Sequence, residues 1–158
     1  MANKTNSLYD VLAAAKDTYP FSSTGTGTID VGADTNVVGS GTLFGTEVKQ
    51  GDYLFNAADD ELRQVVKINS ATSLSIDAPF TTPIVATAPV YTPQSNLVEI
   101  SVFIAPADAA GEINGNVLPP GVGVSWGKTG RTTSANRDLI DPIVLDATGT
   151  TIYIQALI

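Results

Sequence analysis

The sequence predicts an all-β protein: a small β-barrel followed by a β-sandwich-like domain, with a short helical N-terminal arm. Three observations carry that expectation. Short runs of β-branched residues alternate with polar ones along most of the chain. The 14 Gly and 9 Pro, with many Ser and Thr, supply turns between them. Charged residues make up 15% and hydrophobic ones 43%, which excludes a disordered chain.

Taken in order, residues 1–27 read as the arm. Ser7-Leu8-Tyr9-Asp10 fits a capping box with Asp10 in place of the usual Glu. A helix is expected over 8–17, with Leu8, Val11, Leu12 and Ala15 on one stripe, and Pro20 stops it. So short a helix is unstable alone and needs a docking surface. Ser22 to Gly27 would be a flexible connector.

Residues 28–92 read as the barrel. Ile29 and Val31 alternate with polar neighbours. Gly39-Ser40-Gly41 signals a turn or bulge, and Asn69-Ser70-Ala71-Thr72 a hairpin turn. Leu62, Gln64, Val66 and Ile68 are expected on one side of a strand, and Leu74 and Ile76 on one side of the next.

Residues 93–158 read as the sandwich-like domain, with Pro93 at the boundary. Ile100, Val102 and Ile104 alternate with Glu99, Ser101 and Phe103, and Ile152, Ile154 and Ala156 with Thr151, Tyr153 and Gln155. Leu97, Phe103, Tyr153 and Leu157 then fall on the supposedly polar side. Apolar groups on both faces point to cover from another copy or another protein. With Leu8, Val11 and Leu12 of the arm they form the candidate interface. Lys128, Arg131 and Arg137 join it as a basic window, unusual in a chain of net charge −8, suited to an acidic neighbour.

Composition removes much chemistry. The chain has no His and no Cys, so zinc sites of that type, disulfides, thiol nucleophiles and imidazole bases are excluded. Gly123-Val124-Ser125-Trp126-Gly127 matches the G-x-S-x-G pentapeptide of hydrolases, but its Ser has no imidazole base. Gly127-Lys128-Thr129 lacks the earlier Gly of a phosphate-binding loop, since Val122 stands there. Asp59-Asp60-Glu61 lacks the ligand spacing of a calcium loop and reads as a hairpin tip. No catalytic residue, cofactor or metal is expected. The acidic balance argues against nucleic acid. The apolar run Val11 to Ala15 is too short for a signal sequence or a membrane span, so a soluble protein made in a cytoplasm is expected.

The run Val37-Val38-Gly39-Ser40-Gly41-Thr42-Leu43-Phe44 is followed by Gly51-Asp52-Tyr53-Leu54. Then come Val65-Val66-Lys67-Ile68 and Ser73-Leu74-Ser75-Ile76, with Phe80 closing the pattern. This pattern resembles a small β module of tailed-bacteriophage virion proteins, and it covers about a quarter of the chain. The resemblance implies an assembly role with no catalytic residues. It implies a virion location, the major capsid protein or other virion proteins as partners, and a homo-oligomer, with a trimer favoured. A capsid decoration or cement protein is the reading preferred, the acidic charge suiting a site away from packaged DNA. Neck, tail, baseplate or fibre proteins remain the alternative. So does a glycan-binding virion module, for which Tyr53, Tyr91, Trp126 and Tyr153 would supply stacking surfaces.

Overall fold

A computed structural model describes residues 7–94, 97, 99–127 and 141–157. Along these the strands are β1 (Ser7–Ala13), β2 (Lys16–Tyr19), β3 (Ser23–Thr24), β4 (Thr28–Val31) and β5 (Asn36–Ser40). A single helical turn, α1 (Phe44–Glu47), precedes β6 (Tyr53–Asn56), β7 (Glu61–Ser70), β8 (Ser73–Ile76), β9 (Ile84–Thr87) and β10 (Val90–Thr92). The rest are β11 (Glu99–Ile104), β12 (Gly111–Ile113), β13 (Asn116–Leu118), β14 (Gly123–Gly127), β15 (Ile143–Asp146) and β16 (Thr151–Leu157). Apart from that turn the described residues are all β, as the composition favours. It divides into two compact units, Thr18–Gln94 and, joined from both ends of the chain, Met1–Asp17 with Ser95–Ile158.

The Thr18–Gln94 unit is one antiparallel sheet of eight strands in the order β3-β10-β6-β7-β8-β5-β4-β9. Its ladders do not close into a barrel among the described residues. Ile29, Val31, Val37, Phe44, Leu54, Val65, Leu74 and Ile76 make its core. The Gly-x-Gly-Thr-x-Phe stretch is pinned to the β7–β8 hairpin turn. Gly39 N–H donates to the Thr72 carbonyl at 2.8 Å, and Thr42 Oγ1 and Phe44 N–H donate to the Ala71 carbonyl at 2.9 and 3.1 Å. Gly41 turns the chain there with φ 67°, a conformation that side chains resist. Phe44, thus aimed inward, meets Tyr91 edge to face at 6.5 Å between ring centroids. The bulges expected near Gly39 and Gly41 lie instead in β7, between Val65 and Lys67 and between Ile68 and Ser70. They break the strand's alternation: Val65 is buried, while Val66, expected on the same side as Leu62 and Ile68, is exposed.

The other unit holds a four-stranded antiparallel sheet in the order β1-β16-β11-β14. A second sheet runs β13-β12-β15-β2, where Lys16 and Asp17 are this unit's share of β2. Ile100, Val102, Ile104, Leu145, Ile152 and Ile154 are buried in it. The helix expected over 8–17 is absent, and with it the separate arm. Residues 7–13 form β1 and pair with β16 in a seven-position ladder from Ser7↔Leu157 to Ala13↔Thr151. Leu8 and Leu12, four residues apart, fit the period of a helix and of a strand alike. The ladder decides, because it pairs the backbone groups of a segment too short to hold a helix by itself. Ala14, at φ 51°, breaks helical geometry inside the expected span. The capping box has no helix to cap.

Carboxylates clamp loops in both units. The Thr81 hydroxyl and N–H donate to Glu61, and those of Thr148 donate to Asp146, which Lys16 also approaches at 3.5 Å. These hydrogen bonds first, and the nearby cations after them, hold both carboxyls below their ordinary values. A lowered folded-state pKa adds stability above the ordinary carboxylate range, lost as pH falls through the lowered value. The melting temperature should therefore be flat from neutral pH to about pH 5 and fall below about pH 4. Thr148→Val should soften the fall, and an unchanged pH profile in that variant would contradict the assignment.

Candidate interaction face

Strand alternation sorts the described side chains of the β1-β16-β11-β14 sheet onto its two sides. Ile152, Ile154 and Ala156 of β16 and Ile100, Val102 and Ile104 of β11 point into the core. Their neighbours in sequence form the opposite, outward face. Cross-strand pairing aligns that face in rows. Val11 lies opposite Tyr153, Tyr153 opposite Phe103, and Phe103 opposite Gly123. In the next row Tyr9 lies opposite Gln155, Gln155 opposite Ser101, and Ser101 opposite Ser125.

The first row is apolar and open to solvent. Val11 is 54% exposed, Tyr153 44% and Phe103 42%, and Tyr9 beside them in the next row is 75% exposed. The Phe103 and Tyr153 rings lie 6.3 Å apart at 42°. Short polar contacts hold the second row: Gln155 Nε2 donates to Tyr9 Oη at 3.0 Å, and the Ser101 and Ser125 hydroxyls meet at 2.6 Å. Among the described outward positions of these strands, Glu99 is the one charged group. In a chain with 16 acids and 8 bases, such a face is depleted of charge.

The expected interface residues separate into groups. Val11, Phe103 and Tyr153 converge on this face, and half-buried Leu157 joins them opposite Glu99. Leu12, 7% exposed, and Leu97, 2% exposed, belong to the core and offer nothing to a partner. Leu8 sits in β1 opposite Ala156. Lys128, Arg131 and Arg137 lie outside the described residues. Tyr9 and Gln155 were not expected here. The alternation Tyr9, Val11, Ala13 was the available signal, and the helical reading of the same segment hid it.

The four aromatics considered for stacking on a sugar are placed as follows. Tyr53 and Tyr91 belong to the Thr18–Gln94 unit and Tyr153 to the other, while Trp126 lies in β14 opposite Ile100. Tyr91 is buried against Phe44. Burial pushes its hydroxyl well above the usual phenol range, and the Glu47 carboxylate adds to the effect. That hydroxyl is buried without a hydrogen-bond partner. Tyr91→Phe should therefore raise stability by up to about 1 kcal/mol in chemical denaturation, and a loss of that size would reveal a partner for the hydroxyl.

Ser125 of the hydrolase-like pentapeptide lies within β14, its hydroxyl bonded to Ser101, and not on a strand-to-helix turn. Asp59 and Asp60 occupy the turn between β6 and β7. Among the described residues no cluster of three acids is placed to hold a metal ion, and no helix is long and apolar enough to cross a membrane. Compared with protein-family models and with curated proteins, the chain matches none.

Proposed function

We propose that the chain is a structural protein of a tailed-bacteriophage virion, a capsid decoration or cement protein that braces the shell by adding contacts between subunits. The mechanism is adhesion. The observation that carries it is the open, uncharged aromatic row Val11–Tyr153–Phe103 on a sheet whose other side is already a packed core. The largest apolar patch that a soluble protein leaves open is often functional, and interface centres are rich in aromatic residues and poor in charge. The resemblance of residues 37–80 to small phage β modules supplies the virion setting. Barrel-like and sandwich-like modules, a homo-oligomer and the major capsid protein as a partner belong to the same proposal.

Binding to shells tests it. The purified protein, added to particles stripped of accessory proteins, should saturate at a copy number set by the shell's symmetry. Tyr153→Ser together with Phe103→Ser should reduce occupancy at least about tenfold while the monomer stays folded. Binding that never saturates, or none at all, would contradict the role.

A further inference from the structure

We propose that the outward face of the β1-β16-β11-β14 sheet is covered by the same face of a second copy, related by a two-fold axis parallel to the strands. The inference rests on the adhesion reading above and names the partner. The face is graded in height. At the β1 edge Tyr9 and Val11 stand out from the sheet, 75% and 54% exposed. At the β14 edge the outward positions are Gly123, Ser125 and Gly127, so the surface there is low. A two-fold axis between β16 and β11 reverses the strand order and leaves each row in place. It sets β1 of one copy over β14 of the other. Val11 then enters the hollow at Gly123, Tyr9 lies over Ser125, and the Tyr153 and Phe103 rings of each copy meet the Phe103 and Tyr153 rings of the other. An isologous contact needs a patch complementary to itself, and this grading provides one.

Charge and area agree with that partner. Copies of net charge −8 repel one another, so self-association needs a face without acids, and only marginal Glu99 is charged among the described outward positions. The exposed parts of Tyr9, Val11, Phe103 and Tyr153 amount to about 400 Å², from the usual area of such side chains. That is about half of the roughly 800 Å² that each partner contributes to a stable interface, and the flanking polar row and strand ends supply more. Sheets packed face to face lie about 10 Å apart, a gap that rings from both sides fill. A contact of this symmetry joins copies in pairs, unlike the trimer that the virion resemblance implies.

The arrangement has a signature in charge exchange. Val11 and Gly123 stand at opposite edges of their own sheet, three strand spacings or about 14 Å apart, and do not meet within one copy. Across the axis they face each other. Both sites tolerate change in the monomer: Val11 is exposed, and a Cβ at Gly123 would meet nothing closer than 3.4 Å. Sedimentation equilibrium of the wild type should show a dimer dissociating reversibly on dilution. Val11→Asp and Gly123→Lys should each raise the dissociation constant at least about tenfold. An equimolar mixture of the two variants should recover most of the loss, because one contact of the mixed pair then joins opposite charges and the other is unaltered. A monomeric wild type at high concentration overturns the inference, as do single variants without effect or a mixture that recovers nothing. A wild type that stays monomeric yet binds shells, and loses that binding with Tyr153→Ser, overturns the pairing and leaves the adhesion reading standing. A monomer whose face instead binds a glycan overturns both.

Discussion

Deleting residues 1–13 should lower the melting temperature of the unit that contains β16 by more than about 10 °C, or abolish its cooperative transition. The segment supplies the whole of β1, and its seven-position ladder covers one edge of β16. Each ladder hydrogen bond contributes about 0.5–1.5 kcal/mol net. Leu12 leaves the core at the same time, and loss of a buried Leu costs about 2–5 kcal/mol. The sum is comparable with the roughly 5–15 kcal/mol that holds a typical domain together. Leu12→Ala alone should reproduce the smaller share and leave a folded protein. Differential scanning calorimetry separates the two. A truncated chain that melts like the full one would mean that residues 7–13 are an appendage, and β1 would be wrong.

Phe44→Ala should cost about 3–5 kcal/mol in urea denaturation, the largest effect of any single truncation in the Thr18–Gln94 unit. Phe44 is fully buried and is the largest of the fully buried side chains in the cluster. It cannot be replaced by local collapse, because its backbone is tied to the β7–β8 turn through the Ala71 carbonyl. Thr42→Val should cost less, about 1 kcal/mol, since it removes only the hydroxyl's bond to the same carbonyl. A small effect of Phe44→Ala would show that the Gly-x-Gly-Thr-x-Phe stretch does not anchor the sheet.

What the sequence made legible follows from how local each signal is. Ile29 and Val31, Leu74 and Ile76, and Ile100, Val102 and Ile104 alternate cleanly, and all are buried. The turns at Gly51-Asp52 and Ala71-Thr72 carry their own residue chemistry, with Gly51 at φ 99°. Non-local facts were hidden. Nothing near Ser7 announces that it pairs with Leu157, at the far end of the chain. Without that pairing Leu8 and Leu12 read as one stripe of a helix. The bulges in β7 shift which of Val65 and Val66 faces the core, and no Gly or Pro marks them. The candidate face was half legible. Phe103 and Tyr153 stood out as large groups on a polar side, but Leu97 in the same class proved to be core. Tyr9 and Gly123 gain meaning only when the strands lie side by side.

On the proposed function the chain acts by adhesion as part of a phage particle. A cryo-electron-microscopy reconstruction of the virion encoded with it tests that most directly. Density for the β1-β16-β11-β14 sheet should lie at symmetry-related positions on the particle, with Tyr153 and Phe103 enclosed in a contact between subunits. A complete particle without this chain, or a chain bound with that face open to solvent, would contradict it.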